Sequence, residues 1–339
     1  SLNRVQQQRL GLFAELRQQL GALTVELGGR YDFHRSQMAD PMVGSAVPAM
    51  VANLAQQVSQ NNTALRNETG DIVLRMWSDH GAVKPRLTLA FKQRVPNAVE
   101  RHSWMPTEAS GGLADGNIYV GDANLRPEKA WIGEAGVDVV QGALRWRPSI
   151  FYRRIDDYVQ GVPVPDSMMA VQMIAGMNGD TTPLIFANVD AQLYGADMDA
   201  ALDLGGPWQL QGTLSYVRGK RRDIADNLYR MAPLNGRISL HWTKDDVSLS
   251  GELVGAAAQR KVSRANDELG SPSWLIGNLW AELRVNPSFS LALGVENLWD
   301  QRAADHLSGI NRVTGSDVAV GQRVPMAGRS ANVRLNIRL

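Results

Sequence analysis

Methionine and histidine are the residues in this 339-residue chain whose types and spacing point to chemistry. Of twelve methionines, all but Met76 and Met198 fall in connecting segments or at segment ends. Met168, Met169, Met173 and Met177 crowd into one stretch. Met38 follows His34 by four positions, Met105 follows His102 by three, and His306 lies in the last long connection. Thioethers are soft, neutral ligands that suit Cu(I) and hold hard cations poorly. The alternative role for the same methionines is adaptable apolar filler between loops. Cysteine is absent, which excludes disulfides, thiolate metal sites and cysteine catalysis. His241 beside Ser239 is the nearest approach to a hydrolytic pair, but no third group is placed to orient the histidine, so no enzyme activity is expected. Phosphate-binding glycine loops and zinc spacings are missing. With a net charge of +1, nothing favours nucleic acid as a partner.

These residues must be held by elements whose pattern is strand-like throughout. The C-terminal stretch from Gly328 places Val333, Leu335, Ile337 and Leu339 on one side and Asn332, Arg334, Asn336 and Arg338 on the other. A soluble sandwich seldom repeats arginine along a buried or half-buried face. Apolar residues outside, charged residues inside and alternately tight and long connections are the pattern of an outer-membrane barrel. No run of about 18 apolar residues exists, so a transmembrane helix is excluded. No signal peptide opens the chain, which for an exported barrel implies a processed or missing N-terminus.

Strand segments are expected at Leu10–Leu20, Leu23–Phe33, Ile72–Met76, Arg86–Arg94, about Gly133–Val139, from Leu144, Ala187–Leu204, Trp208–Arg222, Gly236–Thr243, Val247–Val262, Trp274–Val285, Phe289–Trp299 and the C-terminus, about thirteen in all. Met50–Leu65 fits a short amphipathic helix. Within Ala187–Leu204 the alternation flips near Tyr194-Gly195, which suggests a β-bulge there. Tight turns belong on the periplasmic side and long loops outside. An odd strand count with the last strand ending inside implies at least one further strand upstream, so the whole of 1–339 reads as part of a single barrel domain.

Inward positions then include Arg86, Lys92, Arg94, Arg145, Arg147, Arg237 and His241, balanced by Glu134, Asp138, Asp197 and Asp199. They form either a solvated lumen wall or a field that draws an anionic ligand into the mouth. Trp77, Trp131, Trp208, Trp242, Trp274, Trp280 and Trp299 sit mostly near strand ends, as interfacial girdles do.

With the strands placed, several segments resemble the barrel of TonB-dependent outer-membrane receptors. Leu12-Phe-Ala-Glu-Leu and Leu27-Gly-Gly-Arg-Tyr-Asp are similar to that family's "FAE … GLRYD" hairpin. Gly121-Asp-Ala-Asn-Leu-Arg-Pro-Glu-Lys resembles "NPNLKPE", and Asn188-Val-Asp-Ala-Gln-Leu-Tyr-Gly-Ala-Asp-Met resembles "NVdkArIyGvEl". Met231-Ala-Pro-Leu-Asn-Gly-Arg is similar to "lPplrgR", Gly294-Val-Glu-Asn-Leu-Trp-Asp-Gln-Arg to "GVeNLFDkrY", and Gly328-Arg-Ser to the closing "PGRs". Asp305-His-Leu-Ser, Ile155-Asp-Asp-Tyr, Val217-Arg-Gly-Lys and the Trp104–Gly116 segment resemble the copper-receptor branch.

The resemblance implies an all-β, antiparallel up-and-down transmembrane barrel of about 22 strands, of which this chain supplies roughly the last thirteen, in the bacterial outer membrane. It further implies import of copper or a metal complex as cargo, with no resident cofactor. Partners would be the TonB-ExbB-ExbD system through an N-terminal plug, the barrel-assembly machinery reading the terminal strand, and outer-membrane lipid and lipopolysaccharide. The family's plug and TonB-contacting box are not in this sequence, and the usual aromatic last residue is Leu339. A ferric-siderophore or other metallophore receptor, a passive porin-like channel and a cell-surface binding barrel are the alternatives.

Overall fold

The computed structural model describes residues 3–61, 64–107 and 115–337. Thirteen strands follow one another as an antiparallel meander: β1 (Val5–Leu20), β2 (Leu23–Met38), β3 (Leu65–Ser78), β4 (Val83–Arg94), β6 (Glu128–Gln141), β7 (Leu144–Pro163), β8 (Leu184–Gly205), β9 (Trp208–Arg221), β10 (Asn235–Lys244), β11 (Val247–Ala256), β12 (Trp274–Asn286), β13 (Phe289–Glu296) and β14 (Ser330–Ile337). A two-residue strand, β5 (Tyr119–Val120), leaves this path and pairs in parallel with Leu184 and Ile185 of β8. Three short helices lie in the connections: α1 (Ala49–Gln60), α2 (Ala98–His102) and α3 (Met169–Met177). No described helix is long and apolar enough to cross a membrane.

Each strand alternates because successive side chains point to opposite faces. The register carries one alternation across the whole sheet. Leu74 of β3 faces Leu89 of β4, Ile238 of β10 faces Leu253 of β11, and Leu293 of β13 faces Val333 of β14. These apolar partners share a face that is open in the structure, with Val333, Leu335 and Ile337 all exposed. Leu339, expected to end that row, lies outside the described residues. The opposite face carries the charges, and the long connections fold onto it. Solvent-exposed leucine on one side and carboxylate–guanidinium pairs on the other is the inside-out arrangement of a barrel wall in lipid.

All the tight turns fall at one end. They sit at Gly21, Gly81, Gly142, Gly205-Gly206 and Asp245, where positive φ angles let the chain reverse within a few residues, and at Pro287-Ser288. The long connections, after β2, β4, β7, β9, β11 and β13, gather at the other end. Several strands extend further toward that end than the sequence pattern indicates: β2 runs to Met38, β3 begins at Leu65 and β7 reaches Pro163. Polar residues such as Arg35, Gln37 and Arg66 take the outward positions there, because the strands rise beyond the apolar band. In β11 the difference is reversed, with pairing ending at Ala256 rather than Val262.

The bulge expected at Tyr194-Gly195 is elsewhere. β8 pairs without a break from Ala191 to Asp203 with β9, and its register with β7 is interrupted at Asp156-Asp157 instead. Asp157 adopts φ 60°, and its carbonyl accepts a hydrogen bond from Asn188 Nδ2 at 2.7 Å. Ala191 and Leu193 therefore point inward, where they pack against Leu228 and Met231 of the β9–β10 loop. The change from apolar to charged inward residues along β8 reflects what fills the mouth, not a change of strand phase. Gly195 is required for another reason: a β-carbon there would lie 2.1 Å from the Tyr216 carbonyl oxygen.

Among the tryptophans, Trp131, Trp208 and Trp242 lie on the apolar face as expected. Trp77, Trp274 and Trp280 do not: the register puts them on the charged face, where Trp77 stacks with the Arg17 guanidinium at 5.5 Å. Period alone assigns the face, and a strand-end position does not.

Candidate functional site

The long connections build a cap from their own apolar residues. Val51 and Leu54 of α1, Val120 of β5, Val164, and Val171 and Ile174 of α3 form one buried cluster, flanked by Met50, Trp104, Met105 and Met168. Three loops that are remote in sequence thus share a core. α3 owes its orientation to spacing: Val171, Ile174 and Ala175 face the cluster, which turns Met169, Met173 and Met177 outward at intervals of four. Those three are 64%, 51% and 73% exposed, while Met168, one residue earlier, is partly buried. Side chains four apart on a helix have β-carbons about 5–6 Å apart, close enough for two thioethers to converge on one ion. The candidate site is this outward methionine stripe, held by a packed helix rather than a mobile loop.

The two histidine–methionine pairs expected from spacing are brought into one neighbourhood. His34, Ser36 and Met38 alternate onto the inward face at the end of β2, and the Ser36 hydroxyl lies 3.0 Å from His102 Nε2 on α2. Burial, helped by the adjoining Arg101 charge, pushes the His102 imidazole below its usual pKa. Met38 is buried and Met105 half-buried against the cap. His306 is fully enclosed, with Nδ1 3.1 Å from Ser271 Oγ and Nε2 3.0 Å from Glu268 Oε1. Both ring nitrogens are occupied by protein groups, so the structure uses His306 to fasten loops and not as an open ligand. Among the described residues no three His, Asp or Glu side chains converge in a cage for a hard metal.

The lumen wall is a series of ion pairs. Arg86 meets Asp138, which also takes Arg147 at 3.4 Å; Arg145 is 3.8 Å from Asp203. Arg94 pairs with Glu128 at 2.6 Å and Glu100 at 2.8 Å. Asp197 accepts from Ser215 at 2.6 Å. Lys92, Glu134, Asp199 and Arg237 take inward register positions, as expected, without an ion pair among the described residues. His241 also faces inward, but Ser239 donates to Glu252 at 3.2 Å rather than to the histidine, which removes the hydrolytic pairing.

Two constellations went unread in the sequence. The first is a pair of acids each clamped by two arginines: Asp32 between Arg9 and Arg30, and Glu26 between Arg17 and Arg75. The inward alternation of charge was its available signal. The second is Asp115, which accepts from both the Tyr119 and Tyr229 hydroxyls, the latter at 2.9 Å. Burial and the nearby Asp115 carboxylate raise both phenols above their usual pKa. Residues 114 positions apart in sequence meet there, and no local spacing announces that.

The sequence of residues 1–298 matches the family model described as "TonB dependent receptor-like, beta-barrel". Among solved structures, the fold is similar to "Copper transporter OprC", with TM-score 0.76 and 19% identity over 98% of this chain and 49% of that one. It is also similar to the ferric enterobactin receptor PfeA of Pseudomonas aeruginosa (TM-score 0.60, 16% identity, 98% and 54% covered) and to the FrpB iron transporter of Neisseria meningitidis (TM-score 0.68, 12% identity, 99% and 46% covered). The chain spans about half the length of these proteins.

Proposed function

This chain belongs to the TonB-dependent receptor β-barrel family, whose members are bacterial outer-membrane proteins and not enzymes, and from that premise we propose that it forms wall and cap of a receptor importing copper. The outward stripe of Met169, Met173 and Met177 on α3 carries this reading. Three thioethers are kept in solvent by a helix whose other face is buried, against the usual preference of methionine for the interior. Filler methionine packs inward, as Met50, Met105 and Met168 do. A surface of soft donors, with no competing hard-metal cage among the described residues, favours Cu(I) over iron or zinc.

The outer membrane carries no ATP supply or proton gradient of its own, so uptake against a gradient draws its energy by contact with the TonB-ExbB-ExbD system through a plug domain. The apolar row of Val333, Leu335 and Ile337 on β14 serves as the signal to the barrel-assembly machinery. A ferric siderophore or other metallophore is the second reading, favoured by the guanidinium groups of Arg9, Arg94 and Arg101 around the cavity beside His34.

The test is metal content of the full-length receptor purified from outer membrane after exposure to equal copper, iron and zinc. Copper should be retained stoichiometrically. The triple Met169→Leu, Met173→Leu, Met177→Leu receptor, which keeps the apolar volume, should lose at least about tenfold in Cu(I) affinity, as expected for removal of soft ligands. Equal copper in both proteins would make the stripe filler, and absence of copper in the wild type would move the substrate to an organic metallophore.

A further inference from the structure

The methionines of this chain differ in what surrounds them, and that difference sorts them by access to water-borne reagents. Met38 is buried, and Met50, Met105 and Met168 pack against the cap core. Met76 and Met198 take outward positions opposite Leu87 and Leu214, which places them in the lipid-facing surface of the wall. The exposed methionines are Met169, Met173 and Met177 of α3, and Met42 in the connection before α1. All four stand at the loop end, which in this family faces the medium. A small neutral oxidant arriving from outside therefore meets the α3 stripe without crossing the membrane.

What holds α3 in place is chemically separate from what it presents. The buried face is Val171, Ile174 and Ala175, hydrocarbon that a peroxide does not attack. Two polar contacts fasten the ends: Gln172 Nε2 donates to the Val164 carbonyl at 3.1 Å, and Asn178 Nδ2 donates to the Pro106 carbonyl at 3.3 Å. None of the three outward thioethers belongs to the cap core. Their chemistry can change while the helix stays docked.

We propose that Met169, Met173 and Met177 form a reversible oxidation site, at which a hydroperoxide converts the soft donors to sulfoxides and switches Cu(I) capture off with the cap intact. Each step is a two-electron transfer. The sulfur lone pair attacks a peroxide oxygen, the S–O bond forms as the O–O bond breaks, and the second oxygen leaves with the proton as water. Sulfur is oxidised and the peroxide reduced. The product offers a harder oxygen donor in place of the thioether, which Cu(I) disfavours. The inference rests on the copper reading of the same stripe and adds its regulation.

The experiment treats metal-free, full-length receptor in lipid nanodiscs with hydrogen peroxide, removes the peroxide with catalase, and maps sulfoxides by peptide mass spectrometry. The stripe and Met42 should be oxidised at least about tenfold faster than Met38 and Met168, because exposure governs thioether oxidation. The Met169→Leu, Met173→Leu, Met177→Leu receptor sets the baseline for any Cu(I) held elsewhere. Above that baseline, Cu(I) supplied anaerobically as its bicinchoninate complex should bind at least about tenfold more weakly after oxidation, as for removal of soft ligands. Methionine sulfoxide reductases of both stereospecificities should restore the affinity. Hydrogen exchange over 169–177 should stay constant throughout, and Met42→Leu should respond to peroxide as the wild type does. Slow oxidation of the stripe, Cu(I) affinity that survives its sulfoxidation, or exchange that rises as α3 undocks would overturn the inference and leave the copper reading standing. Failure of the untreated receptor to bind Cu(I) above the baseline would overturn both.

Discussion

His102 shows how one side chain ties the cap to the wall. It is buried on α2 against Ser36 of β2, and burial holds its pKa below the usual value of about 6.5. The unfolded loop then binds a proton more readily than the docked one. Stability from this contact is complete above about pH 6.5 and is lost as pH falls toward the lowered folded value. Amide exchange across Ala98–Ser103, normalised to intrinsic rates, should thus accelerate between pH 7.5 and 5.5 in the wild type and change much less in His102→Gln. Equal protection at both pH values in the wild type would show that His102 does not control docking. His306 works differently, since Glu268 on one nitrogen and Ser271 on the other satisfy the ring. Glu268→Ala should cost about 1–3 kcal/mol of local stability, the penalty for orphaning a buried polar group, read as faster proteolysis of residues 257–273. The histidine was legible as a residue of interest; its enclosure was not, because its partners come from a different loop.

Helix α3 separates into a face that holds and a face that is offered. Ile174, nearly fully buried between α1 and β5, belongs to the first. Ile174→Ala should cost about 2–5 kcal/mol, the range for truncating a buried isoleucine. Hydrogen exchange should rise over 49–60 and 169–177 together, while the strands stay protected. Met173→Leu, on the exposed face, should leave the same exchange unchanged, so a rise with both substitutions would remove the division of faces. The methionines were visible in the sequence as a cluster. Their sorting into three outward and one half-buried followed only once Val171 and Ile174 had a surface to pack against.

At the scale of the molecule, one alternation runs from β1 to β14 and decides what every substitution meets. Leu279, midway along β12 and exposed on the apolar face, should resist a charge: Leu279→Arg is expected to cost about 2–4 kcal/mol in a bilayer, as arginine does near the midplane of a barrel. On the opposite face, Ser248 of β11, which points inward across from Glu282, should accept Ser248→Arg with a much smaller loss. Urea-unfolding midpoints in lipid vesicles would compare the two. Similar losses at both positions would contradict the assignment of faces.

The period-two alternation, the tight turns at Gly21, Gly142 and Gly205-Gly206 and the order of the motifs were enough to determine the strand meander, which face meets lipid and which end carries the loops. Those features are local: the direction of a side chain in a strand depends on its own parity, and a reversal depends on the residues that make it. Tertiary structure decided the rest. Inward Leu193 looked like a change of phase until Leu228 and Met231 were found beneath it, and Trp77 looked like girdle until its register with Thr24 turned it inward. The cap core and the Asp115–Tyr119–Tyr229 contact join residues far apart along the chain. Chain closure over such distances is set by packing of the whole wall, which no stretch of sequence encodes alone.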